Sequence, residues 1–143
     1  MSAFRMHLRV VSESLQPEEI SKRLGAEPDE STAIGSRKHP QSPPRSHATW
    51  IRHVGAAEGR ARPEDLEPVV VGWGPDLAEA LGRLADSGEG DVSLEIVQEI
   101  TDLDDPQQKG MALGADLLAW MGTARATLDI DQYVFHECAD EPA

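Results

Sequence analysis

The sequence predicts an α+β fold: a two-layer sandwich with a four-stranded sheet, antiparallel or mixed, and helices on one face. Three observations carry this. Apolar residues alternate with polar ones in residues 4–10, 92–100 and 126–135, the period of a half-buried strand. Other segments repeat apolar residues at helical spacing and are bracketed by Pro and Gly. The resulting order is strand, helix, strand, helices, strand, helix, strand, which lets the helices cover one sheet face. A ferredoxin-like arrangement is the preferred topology. One domain is expected over all 143 residues, with a core at about 4–135 and an acidic tail at 136–143. The ends leave little room for fused domains, so a stand-alone protein is expected.

In the first strand Phe4, Met6, Leu8 and Val10 share the inner face, while Arg5, His7 and Arg9 point outward. A helix follows. Pro17 suits its first position, Glu18 and Glu19 its first turn, and Lys22 and Arg23 its last turn. Ile20 and Leu24 form its buried stripe, Gly25 ends it and Pro28 prevents its resumption. Residues 26–47 read as loop, and residues 49–54 as a short strand centred on Trp50. A second loop, holding Gly55, Gly59 and Pro63, comes next.

Residues 64–73 admit two readings. Val69, Val70 and Val71 favour a strand by propensity, but Leu66, Val69, Val70 and Trp73 fall on a helical stripe after a Pro63, Glu64, Asp65 start. Helix is the reading adopted. Gly74 and Pro75 restart a helix that carries Leu77, Leu81 and Leu84 and stops at Gly88. Residues 92–100 form a strand and residues 102–108 an acidic turn. Leu113, Leu117, Trp120 and Met121 mark a helix ended by Gly122. The last strand has Leu128, Ile130 and Val134 on one face.

The net charge is −13, which repels nucleic acid and fits a basic protein partner. No apolar run approaches the roughly 20 residues of a membrane helix, and no secretory leader is visible. No membrane association and a cytoplasmic location are therefore expected. The single Cys138 permits no intrachain disulfide and sits among carboxylates that disfavour a reactive thiolate. Residues 35–62 form one cationic island: Arg37, Lys38, Arg45, Arg52, Arg60 and Arg62 against the single acid Glu58.

No catalytic constellation is legible. Gly-x-Ser-x-Gly is absent, and residues 35–38 lack the spacing of a phosphate loop. His39, His47 and His53 are too far apart, and too close to cations, for a structural metal site. No cofactor is expected. Asp129 and Asp131 share one face of the last strand, where they either bind a ligand or pair with Arg5 and Arg9 if the first and last strands are neighbours. Trp50 and Arg52 are of the types that anchor interfaces, although core burial is the stronger reading for Trp50. Trp73 and Trp120 fall on apolar helical stripes and read as core.

Several residues together resemble the start of a bacterial family catalogued as domain of unknown function 4279. They are Leu15, Gln16, Pro17, Glu18, Glu19 and Ile20, then Leu24 and Gly25, then Pro28 and Gly35. Trp50 after a variable loop fits the same pattern, as do the closing Leu128, Asp129, Ile130, Asp131, Gln132 and Tyr133. The chain departs from it in the Pro- and His-rich loop before Trp50 and at Gly74 and Pro75. The resemblance implies a small bacterial α+β domain and carries no catalytic residues.

The function class favoured by these features is a non-enzymatic protein-binding or regulatory module, of the immunity type, that meets a basic partner by charge complementarity. Its candidate binding residues are Arg37, Trp50, Arg52, Asp129 and Asp131. The alternative is a small-anion binder or enzyme with its site under the basic loop 35–62.

Overall fold

The computed structural model describes residues 2–59 and 61–135; the Cys138 and acidic-tail readings lie outside them. Strand β1 (Ser2–Ser12) leads into helix α1 (Pro17–Leu24), then the short β2 (Glu30–Thr32) and the long β3 (Ala48–Gly59). A 3-10 turn (Pro63–Leu66) opens α2 (Glu67–Gly72), and α3 (Pro75–Asp86) follows. Strand β4 (Asp91–Ile100), a 3-10 turn (Pro106–Gln108), α4 (Ala115–Ala124) and β5 (Thr127–Val134) complete the chain.

The sheet has five strands in the order β2-β3-β1-β4-β5. All neighbours are antiparallel except β4 and β5, which run parallel. The α+β class and the helix-covered face therefore stand, with two corrections. The fifth strand is β2, inside the segment read as loop. Its three residues carry no apolar alternation; what defines it is backbone pairing to β3. The topology also departs from ferredoxin-like, which splits each βαβ unit by an inserted strand. Here β4, α4 and β5 form a βαβ unit whose strands are direct neighbours.

One face of this sheet holds the core. Met6, Leu8 and Val10 of β1, Trp50 of β3, and Val92, Leu94 and Ile96 of β4 cluster with buried residues from every α-helix. Helix α1 begins as its sequence predicts. The Gln16 N–H donates to the Glu19 carboxylate at 3.1 Å, and Gly25 closes the helix at φ 64, a conformation that costs glycine little. The Gln16 side chain also accepts from the Ile34 N–H at 2.9 Å and donates to its carbonyl at 3.3 Å, pinning the loop after β2 to the helix start.

Residues 67–72 are helical, as the stripe predicts. Val70 is fully buried and Trp73 half-buried, but Val69 faces solvent. Helix α4 does not end at Gly122. It runs to Ala124 and closes on Arg125, which takes the left-handed φ of 57 that glycine was expected to supply. Strand β3 is also longer than predicted, and Gly55 and Gly59 lie within it. An irregularity opposite Met6 and His7 leaves Val54 as the extra residue of a bulge.

The loop after β4 is held by a chain of amides. Gln132 donates to Gln98 at 3.0 Å, and Gln98 donates to the Gln108 carbonyl at 3.0 Å. The Gln108 side chain accepts from the Thr101 and Asp102 N–H groups at 2.7 and 3.0 Å. Gln98 and Gln108 are buried, and these bonds offset the cost of burying them. Arg62 secures the same loop from the other side, donating to the carbonyls of Gln107 and Gly110 at 2.8 and 2.9 Å.

Arg62 also donates to Glu64 at 2.9 Å. Burial alone would raise the Glu64 pKa, but the Arg62 guanidinium and nearby backbone N–H groups outweigh it and hold the carboxyl below its ordinary value. A depressed folded-state pKa stabilises the fold above the unfolded value and ceases to do so as pH falls through the folded one. Glu64→Gln is therefore expected to be less stable than wild type at neutral pH, with the gap closing as pH drops below 4.5. Urea denaturation at several pH values measures this; a gap that stayed constant into acid would refute it.

Candidate functional site

The helices leave the second sheet face open, and alternation dictates which side chains reach it. From β3 come Thr49, Ile51 and His53; from β1, Arg5, His7 and Arg9; from β4, Ser93, Glu95, Val97 and Glu99; from β5, Asp129, Asp131 and Tyr133. Register aligns His53, His7, Glu95 and Asp129 in one row across four strands.

Two imidazole–carboxylate pairs occupy this face. The His7 Nε2–H donates to Glu95 at 2.5 Å, and Arg9 reaches the other Glu95 oxygen at 3.4 Å. His53 Nε2 lies 2.9 Å from Glu30 on β2, while the His53 backbone N–H donates to Asp29 at 2.7 Å. Beside them a cleft of about 320 Å³ is lined by Arg5, His7, Glu30, Ile51, His53 and Gly55, among others. Among the described residues, no three His, Cys, Asp or Glu side chains converge as a metal site. Among the described residues, neither imidazole is hydrogen-bonded to a hydroxyl or thiol of the kind such dyads activate. The pairs are cross-strand polar contacts of the kind that favour one register.

The five residues singled out from sequence do not meet. Arg37 is exposed on the loop after β2 and donates to the Ser42 carbonyl at 2.8 Å. Trp50 is fully buried on the helix-covered face. Arg52 lies on that same face, 5.2 Å above the Trp73 ring, a cation–π contact that caps the core. In four surface clefts of 320 to 570 Å³, neither Arg37 nor Arg52 is among the lining residues. The cationic island is dispersed because each of these arginines serves a different local contact.

Asp129 and Asp131 do share one exposed face, on β5. They do not meet Arg5 and Arg9 as cross-strand partners, because β4 stands between the first and last strands and supplies Glu95 to Arg9.

Strand β5 is the site that sequence reasoning undervalued. It is a sheet edge of eight residues, and it exposes large apolar side chains on both faces: Ile130 at 39% and Val134 at 42% on one, Tyr133 at 53% and, just past its end, Phe135 at 52% on the other. The opposite edge, β2, has only three residues. Edge strands are ordinarily kept short or charged because their unpaired backbone invites pairing. Here Asp129 and Asp131 supply the charge, but the apolar side chains act in the opposite sense. The sequence signal was present in residues 128–135; what it does not contain is strand order, which makes β5 an edge.

The arrangement defines a small α+β domain with a mixed five-stranded sheet, helices on one face, and an open, acidic second face ending in an apolar edge. The chain belongs to the family described as Domain of unknown function (DUF4279), whose model matches residues 2–135, nearly the whole length. Neither the curated proteins nor the solved structures compared with it give a match. No helix among the described residues is long and apolar enough to cross a membrane.

Proposed function

We propose that this protein is a non-enzymatic, cytoplasmic binding module that regulates or neutralises a basic protein partner. The observation that carries the reading is the β5 edge: four large apolar side chains, 39–53% exposed, beside two carboxylates. Exposed aromatic and aliphatic side chains beside charge on a sheet edge suit a protein-interaction site, with Tyr133 and Phe135 on one face of the strand and Ile130 and Val134 on the other. The net charge of −13 gives such a surface long-range attraction for a cationic partner and speeds encounter.

Native mass spectrometry of the protein purified gently from its own host tests this. The expected result is a second, basic protein at fixed stoichiometry that is released as salt rises and is lost from a Tyr133→Ser, Phe135→Ser variant. A retained small molecule that the protein turns over would overturn the reading.

A further inference from the structure

Resting on that reading, we infer that β5 takes its partner as an added strand: an extended, basic segment that pairs antiparallel along the outer edge of the sheet. The backbone argues first. The Phe135 N–H donates inward, to the Ile100 carbonyl at 2.8 Å. Alternation then turns the N–H and C=O groups of Ile130, Gln132 and Val134 outward, where the sheet ends among the described residues. An eight-residue row of this kind is a template for strand addition.

Side chains specify the occupant. On the open face, Asp129 and Asp131 lie in line with Tyr133 and Phe135. A docked strand would set Arg or Lys opposite the carboxylates, and the same cations fit over the two exposed rings. On the other face, Ile130 and Val134 flank Gln132. They call for β-branched apolar residues opposite them, with a polar residue between. The recognition pattern is thus Arg-Val-Arg-Thr-Arg-Val-Arg, read antiparallel to residues 129–135. A second copy of this chain fits less well, because its own Asp129 and Asp131 would join the same face as like charges.

The heptapeptide of that sequence, blocked at both ends, is the probe. Titration into the isotopically labelled full chain is expected to slow hydrogen exchange at the Ile130, Gln132 and Val134 amides. The intervening amides, already bonded to β4, should not change. N-methylation of the peptide amides that face β5 should abolish binding. Asp129→Lys with Asp131→Lys should weaken it roughly tenfold or more, as expected when two attractive pairs become repulsive. The Glu-Val-Glu-Thr-Glu-Val-Glu peptide should bind this double variant and not the wild type, which also shows that the variant is folded. Failure of the arginine peptide to bind, or protection spread without the alternation, would overturn strand addition. A concentration-dependent dimer protecting the same amides without peptide would give the edge to a second copy and overturn it as well. A host partner that still binds the double lysine variant would refute this docking mode while leaving the binding-module reading intact; absence of any protein partner would sink that reading itself.

Discussion

Trp50→Ala is expected to remove about 3–5 kcal/mol of stability, the range for deleting a large buried aromatic. Domains of this kind are held by only about 5–15 kcal/mol in total, so the loss is a large fraction of the whole. The size follows from position. Trp50 has no exposed surface, lies on β3 and stands opposite Val10 of β1. Its indole Nε1–H donates to the Ser21 hydroxyl at 3.0 Å, in a buried bond that ties β3 to α1. Ser21→Ala keeps the ring but strands the N–H, and a loss of about 1–3 kcal/mol is expected from that alone. Urea denaturation of both variants measures the pair through the shift in midpoint at unchanged slope. A Trp50→Ala protein within about 1 kcal/mol of wild type would contradict its place in the core.

The same residue shows what sequence can and cannot reveal. Trp50 between Thr49 and Ile51 marks a strand, and the alternation of β1 correctly assigns Phe4, Met6, Leu8 and Val10 inward. Such signals are local, written in the period of a single segment. Helix α1 was legible for the same reason, since Pro17, the charges of its two ends and Gly25 are all local punctuation. Strand order is not local. That His53 stands opposite His7, and Glu95 opposite both His7 and Asp129 in turn, depends on register between segments far apart in the chain. The expectation that Arg5 and Arg9 pair with Asp129 and Asp131 failed on this point. The residue types were complementary, but β4 occupies the position between them.

Strand β2 and the end of α4 escaped for other physical reasons. Glu30, Ser31 and Thr32 form a strand because β3 offers backbone partners, which no side-chain pattern records. Gly122 looked like a helix stop because glycine relieves the left-handed cap. Arg125 adopts that conformation instead, its N–H donating to the Gly122 carbonyl at 3.2 Å and its side chain reaching Asp86 at 3.3 Å. The β5 edge is the most consequential case. Ile130 and Val134 follow the alternation of a buried strand, yet they are well exposed, because no sixth strand and no helix covers them among the described residues. Periodicity identifies the face of a strand; only topology tells whether that face is covered.

Two glycines make the final contrast, and the same substitution is expected to act with opposite sign at each. In a helix, replacing Gly by Ala ordinarily stabilises by about 0.5–1 kcal/mol, since the unfolded chain loses freedom and the helix gains a better former. Gly122 on α4 meets this condition: it is exposed, and nothing lies within 4 Å of an added Cβ. Gly122→Ala should raise the melting temperature by a few degrees. Gly82 on α3 does not. A Cβ there would sit 2.3 Å from the Thr123 carbonyl oxygen of α4, far inside contact distance. The obstacle is backbone, so no side-chain rotation relieves it; α3 and α4 must move apart. That separation disturbs Leu81 and Leu84 on one helix and Leu117, Trp120 and Met121 on the other, all buried in the common core. Overpacking of this kind costs about 1–3 kcal/mol and sometimes more, which exceeds the helix-propensity gain. Gly82→Ala should therefore lower the melting temperature while Gly122→Ala raises it. Thermal unfolding of the two variants side by side decides the matter. Shifts in the same direction would mean that α3 and α4 do not cross as closely at Gly82 as the fold requires.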